Sequence, residues 1–173
     1  MSNPTSELYR GLFKNCHEWL EGTSGDLTNE QAAWQPSGEV VPAGAHYVHH
    51  VGGEDFFIQN LFQGQPPLAA TSFAGTAGFD EMMPMGPWQD WARRVTVDMP
   101  AAHAYAQAVY AATDAWLATL TADDLTRELD LTAMGFGVTT VGYMLNAILI
   151  DGAAHCGEIS CIKGLQGQKG YPF

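Results

Sequence analysis

The segment TTVGYMLNAILIDGAAHCGEISCIKGLQG (residues 139–167) decides how the chain is read. Thr139 or Thr140 stands at its head as an N-cap and Gly167 closes it, which predicts one long helix reaching about Leu165. The helix is apolar, yet it carries Asp151 four residues before His155, and side chains four apart share a helix face. Two readings of that pair stand side by side. In one, Asp151 accepts a hydrogen bond from His155 or a nearby backbone donor inside the core; in the other, the pair is half of a metal site. The most apolar run, VGYMLNAILI (141–150), is far shorter than the ~20 residues that span a bilayer.

Outward from this helix, three more helical segments are expected. Residues 5–21 place Leu8, Leu12, Phe13, Cys16, Trp19 and Leu20 at spacings of three and four, the one-face pattern of an amphipathic helix. Asp26 or Thr28 can cap a short turn through LTNEQAAW, and Pro36, Gly38, Pro42 and Gly44 then break the chain before a second helix over 44–63. Residues 98–120 form a third, with Asp98 as N-cap and Pro100 in its first turn. Between them, residues 64–87 are rich in Gly, Pro, Ala and Thr without a usable period and read as a long crossover loop. RELDLTAM (127–134) is a short extended piece. The pattern predicts an all-α, up-down four-helix bundle with a long crossover loop, in one domain spanning 1–173.

With 19 acidic and 7 basic residues the formal charge is −12, and the bases are scattered. Phosphate backbones and anionic membranes require clustered Lys and Arg, so neither nucleic acid nor a membrane is an expected partner. Cys16, Cys156 and Cys161 make an odd count without a C-x-x-C pair, and MSNPTSELYRGLF lacks the basic and apolar regions of a signal peptide. A cytoplasmic location is the expectation.

Four of the six histidines fall on the second and fourth helices: His46, His49, His50 and His155. Bundles build metal sites from inward side chains on facing helices, so one histidine of the second helix with Asp151 and His155 would form a two-imidazole, one-carboxylate set. That set suits Zn²⁺, Ni²⁺, Fe²⁺ or Mn²⁺. His46 and His50 are an i,i+4 pair and His49 lies on another edge; periodicity does not choose among them. Gly52 and Gly53 read as points of close helix packing or as space for a ligand beside His49, Glu158 as a partner of a ligating imidazole or a solvated or inter-helix residue, Glu54 and Asp55 as surface or inter-helix polar residues, Trp34, Trp88, Trp91 and Trp116 as core or interface anchors, Cys156 as a core cysteine, and His17 and His103 as bystanders.

The stretches LTNEQAAWQPSGEVVPAGAHYVHHVGGEDFFIQNLF and DGAAHCGEISCIKGLQGQKGYP resemble the DinB/YfiT-like superfamily of metal-binding four-helix bundles. The shared features are Trp-x-Pro before the second helix, a histidine five residues before Glu-Asp, and a late H-x-x-x-H-x-G-[EQ]-I helix. The resemblance implies His49 as the first ligand, with His46 and His50 as its neighbours, and His155 as the last. It sets Asp151 where the family usually has histidine, giving a carboxylate-containing site and a weaker Lewis acid than three imidazoles would. It further implies a metal-dependent enzyme of the thiol-dependent transferase or hydrolase type, with a small molecule or low-molecular-weight thiol as substrate, and a homodimer. The alternative is a non-catalytic, stress-associated or small-molecule-binding bundle whose metal site is structural or vestigial.

Overall fold

The computed structural model describes residues 3–35, 37–84 and 86–173. Pro36, expected to break the chain and to end the Trp-x-Pro motif, lies outside them, as does Met85 of the crossover. The described chain is mostly helical. Its elements run α1 (Pro4–Ser24), α2 (Asn29–Ala33), α3 (Ala43–Asp55), a π-helical segment (Phe56–Phe62), a 3-10 turn (Leu68–Ala70), α4 (Gln89–Ala92), α5 (Met99–Leu117), α6 (Ala122–Thr126), β1 (Glu128–Leu131), a second 3-10 turn (Thr132–Met134), β2 (Gly137–Thr140) and α7 (Val141–Leu165). Among the long helices, α1 packs against α7 and α5, and α3 packs against α7 and α5. No described helix is long and apolar enough to cross a membrane.

Local chemistry sets most of the ends. Asn3 accepts from the Thr5 amide at the start of α1, and Pro4 begins the helix, where a missing N–H costs nothing. Thr28 and Gln31 close a reciprocal capping box on α2. Of the two candidate threonines, Thr140 caps α7 by accepting from the Tyr143 amide. Asp98 occupies the cap position of α5, but its side chain makes no capping hydrogen bond. The extended piece pairs: β1 and β2 form an antiparallel hairpin, turned where Gly135 adopts φ +84°, a left-handed conformation open to glycine.

Two expectations are corrected. The inward face of α1 is Tyr9, Phe13, His17 and Leu20, whereas Leu8, Leu12 and Trp19 are 60 %, 40 % and 52 % exposed. A histidine in the buried stripe hides the true face from a purely apolar count. The second helix is also not α-helical throughout, because α3 passes at Asp55 into the wider π turn. Carbonyls freed by that change are taken up by Gln63, whose side-chain amide donates to Ile58 O at 3.1 Å, and by the Gln65 amide, which donates to Gln59 O at 2.8 Å.

The crossover is tied down at defined points. The buried Asp55 carboxylate accepts from the amides of Leu68 and Ala69, both at 3.0 Å, and from Tyr105 Oη of α5 at 2.7 Å. Further on, Phe79 bridges to Val97, and the Trp91 indole donates to Glu81 O at 2.9 Å. Gly78, at φ +84°, sits so close to the Ala101–Ala102 backbone that no Cβ fits. A long irregular segment thereby becomes a fixed cover beside α3 and α5. Asp55→Ala leaves three donors unsatisfied in the interior. It should lower unfolding stability by about 2–4 kcal/mol, read from the denaturant midpoint.

A second polar knot joins α1, α3 and α5. Glu21 accepts from Tyr47 Oη at 2.6 Å and Tyr110 Oη at 2.9 Å, and His103 Nδ1 lies 2.8 Å from its other oxygen. Burial raises the Glu21 pKa, but hydrogen bonds from His103 and Tyr47, the His103 charge and the Tyr110 hydroxyl outweigh it and hold the carboxyl below its ordinary value. A depressed carboxyl pKa stabilises the fold above the unfolded value, and that stability is lost as pH falls through the folded one. Glu21→Gln should therefore flatten the acid limb of the stability–pH profile below about pH 5, measured by urea titration at successive pH values. His103 is thus no bystander to the fold.

Candidate metal centre

Six titratable side chains meet where α3 faces α7. From α3 come His46, His49 and His50; from α7 come Asp151, His155 and Glu158, spaced so that 151, 155 and 158 share one face. His46, His50 and His155 are buried, while Asp151 and Glu158 reach the surface. The Asp151 carboxylate lies between two imidazoles: Oδ2 is 2.9 Å from His50 Nδ1, and Oδ1 is 3.3 Å from His155 Nε2 without satisfying hydrogen-bond geometry. On the far side of the same ring, His155 Nδ1 is 2.6 Å from Glu158 Oε2, and His46 Nδ1 lies 3.0 Å from both.

His49, Asp151 and His155 each offer a ligand atom, all within 4.8 Å of one another. A second group, His46, His155 and Glu158, meets the same measure. Three imidazole nitrogens here are buried without a hydrogen-bond partner: His49 Nδ1, His50 Nε2 and His155 Nε2. Such orphans are rare in folded interiors, where nearly every buried polar atom is paired. Half-buried Trp88 stands over the cluster, its ring 4.4 Å from that of His49, 5.4 Å from His46 and 5.9 Å from His155 between centroids.

Burial pushes His49 down to about 4, helped by the neighbouring His155, against a smaller opposing pull from Asp151. Burial likewise lowers His46 to about 4, with Glu158 opposing and His155 and His49 adding to it. Both are therefore neutral imidazoles near neutral pH, the state that binds metal. Burial raises Asp151, but its contacts with His155 and His50 dominate and hold it well below the usual carboxylate range. Burial lowers His155, and Asp151 and Glu158 more than reverse this, so its pKa lies above the ordinary value. Cys16 is not a nucleophile at neutral pH: burial, then the charge of Glu54, push its thiol up to about 12. Burial raises Cys156 as well, and its thiol lies 3.2 Å from Thr23 Oγ1 in the core.

Two glycine readings separate here. Gly152, beside Asp151, is a point where α7 lies tight against side chains of α1 and α3. A Cβ there would meet Cys16 Sγ at 2.5 Å and the His50 ring at 2.8–2.9 Å. At Gly52 and Gly53 a Cβ would meet nothing within 4 Å, so close packing is not their role. Instead they line a cavity of about 480 Å³ that also touches His49, His50 and Asp151.

Neighbouring residues complete the frame. Of the two readings of Glu54 the inter-helix one holds: it is fully buried, held by His17 Nε2 of α1 at 2.9 Å and Thr113 Oγ1 of α5 at 2.6 Å, with His50 Nε2 3.8 Å away. Burial raises its pKa, and the charge and hydrogen bond of His17, with His50 and Thr113, carry it below the ordinary value. His17, ring-stacked on Tyr110 at 3.7 Å, thus braces the helix that bears the cluster. Its position four residues after Phe13 was the available signal; Trp88 read only as a core or interface anchor.

The model of the DinB superfamily matches residues 12–159. The chain belongs to the DinB superfamily. Its structure is similar to the crystal structure of the conserved protein of locus from Enterococcus faecalis. The TM-score is 0.78 at 18 % sequence identity, over 94 % of this chain and 96 % of that one. At that identity the likeness speaks for the fold alone. No curated protein matches this chain.

The geometry around Gly152 is directly testable. Alanine normally stabilises a helix interior relative to glycine by about 1 kcal/mol. Gly152→Ala should do the reverse and destabilise this DinB protein by about 1–3 kcal/mol, because its methyl drives into Cys16 and His50. Thermal denaturation of the two proteins checks the sign.

Proposed function

We propose that this protein binds a divalent cation, Zn²⁺, Ni²⁺, Fe²⁺ or Mn²⁺, through His49, Asp151 and His155, and acts as a metal-dependent transferase or hydrolase. The observation that carries this reading is the convergence of three ligand atoms within 4.8 Å, with His49 Nδ1 and His155 Nε2 buried and unpaired. The donor set fits: two imidazoles and one ionised carboxylate match borderline divalent ions. A bound ion with open positions supplies Lewis acidity, lowering the pKa of a coordinated water or thiol toward neutrality.

The chain's own residues set the terms. Glu158 accepts from His155 Nδ1–H, which fixes the tautomer and turns Nε2 toward Asp151. His50 donates to the other Asp151 oxygen, orienting the carboxylate while leaving Oδ1 for a ligand. Trp88 covers the imidazoles against bulk water, and the cavity beside Asp151 provides the way in. No protein nucleophile is required, in keeping with the raised pKa values of Cys16 and Cys156.

A second reading, a small-molecule-binding protein without a working ion, is favoured by one feature: His50 and Glu158 already give Asp151 and His155 partners. Architecture and assembly belong to the same proposal. The four long helices, each packed on two of the others, support an up-down four-helix bundle spanning 1–173. Exposed Leu8 and Leu12 on α1, with Tyr143 and Ile150 on α7, support a homodimer. Light scattering that returns the monomer mass would remove the dimer.

Elemental analysis of protein purified without a histidine tag should find a stoichiometric divalent metal. Asp151→Ala and His155→Ala should each abolish it. Glu158→Gln should weaken metal affinity by about 10–100-fold while leaving the fold intact. Protein that carries no ion and takes up none on titration would sink the metal reading.

A further inference from the structure

The cavity beside the cluster has a composition that restricts what fits it. It opens between α3, α7, residues 79–84 with Gly86, and the hairpin turn. Its volume, about 480 Å³, lies in the range of small-molecule sites. Phe56, Phe57, Phe79 and Phe136 supply aromatic surface, and Met134 and Met144 supply soft, adaptable apolar surface. Among the described residues no Lys or Arg lines it.

Both carboxylates on its wall are engaged. Glu54 is held by His17 and Thr113, and Asp151 by His50. An anionic ligand body would find no counter-ion there, in a chain whose formal charge is −12. Polar donors and acceptors converge at one end, at His49, His50 and Asp151. The remaining wall offers almost nothing to satisfy a second charged or strongly polar group.

Gly52 and Gly53 make the space. Two adjacent glycines inside a helix cost about 1 kcal/mol each relative to alanine. Packing does not demand them here, since a Cβ at either would meet no atom within 4 Å. What their missing side chains leave open is cavity, next to the ligand-bearing turn of α3.

We propose that the site takes an uncharged, largely apolar small molecule that presents a single oxygen or sulfur donor to the His49–Asp151–His155 group, with Gly52 and Gly53 as the floor that admits its apolar body. A thiol carrying carboxylates or sugars is excluded by the same wall. The head-group contact rests on the metal reading above; the apolar body and the glycine floor do not.

The test uses four probes and three proteins. The probes are 4-phenylbutanohydroxamate, acetohydroxamate, succinic monohydroxamate and 4-phenylbutanol. They are titrated calorimetrically into zinc-supplemented and chelator-treated wild type and into Gly52→Leu and Gly53→Leu. The phenylbutyl hydroxamate should bind zinc-supplemented wild type at least tenfold more tightly than either of the other hydroxamates. Each leucine variant should lose at least tenfold of that affinity while its melting temperature holds or rises, since leucine favours helix and a Cβ there meets no atom. The alcohol should bind chelator-treated wild type weakly and lose this binding in the leucine variants. Equal binding of acetohydroxamate, tight binding of the succinate, or leucine variants that bind like wild type overturns the proposal. If the alcohol binds as expected but the hydroxamate gains nothing from zinc, the apolar site stands and the metal reading falls.

Discussion

One carboxylate on α7 reaches across to α3, and the geometry of the candidate centre follows from it. Asp151 meets His50 with one oxygen and faces His155 with the other, so two helices are clamped at a fixed rotation about their axes. A buried or half-buried charge survives only when its partners replace the water it has lost. Here the partners form an alternating series: Glu158 meets His155 and His46, Asp151 meets His155 and His50, and Glu54 meets His17. The clamp needs close helix approach, which the hydrogen side chain of Gly152 permits. With His50 fixed in this way, His49, a further 100° round α3, is carried under Trp88, and the next turn brings Gly52 and Gly53 to the cavity.

The interior around α3 is polar, and four of its groups have specific counterparts on other elements. Glu54 is tied to α1 and α5, and Asp55 to the crossover and α5; Tyr47 shares Glu21 of α1 with Tyr110 of α5. Buried networks of this kind specify one arrangement, because an alternative packing would strand several charged or hydrogen-bonding groups together. Such over-determination is what a preorganised ligand set requires. The histidines already stand together in the fold.

Much of this was legible in the sequence, for identifiable reasons. The long helix to Leu165 announced itself through its threonine cap and terminal glycine, and α5 through its proline and alanines. The Asp151–His155 pair was visible because helical spacing is a strong rule, and both side chains do lie together. Other features rest on interactions that no local pattern encodes. Leu8, Leu12 and Trp19 suggested an inward face for α1, but the buried stripe includes His17, which an apolar count passes over. Gly52 and Gly53 had the composition of a packing point, yet empty space and contact look alike until the facing element is known. Periodicity left His46, His49 and His50 equal, and their different partners come from α7 and the crossover. The π-helical turn after Asp55 has no signature in FFIQNLF at all.

That π-helical turn has a bearing on how the cavity can change. A π turn fits more residues into a turn than the α-helix does, so α3 with its continuation behaves as a helix that has absorbed extra chain without unwinding. Removing one residue from 56–62 lets the segment relax toward α pitch and re-aims the side chains within it relative to His49. Chain length in this short stretch, as much as residue identity, sets the shape of the space beside the histidines. Relatives with longer or shorter versions of it would present different cavities to an unchanged set of imidazoles.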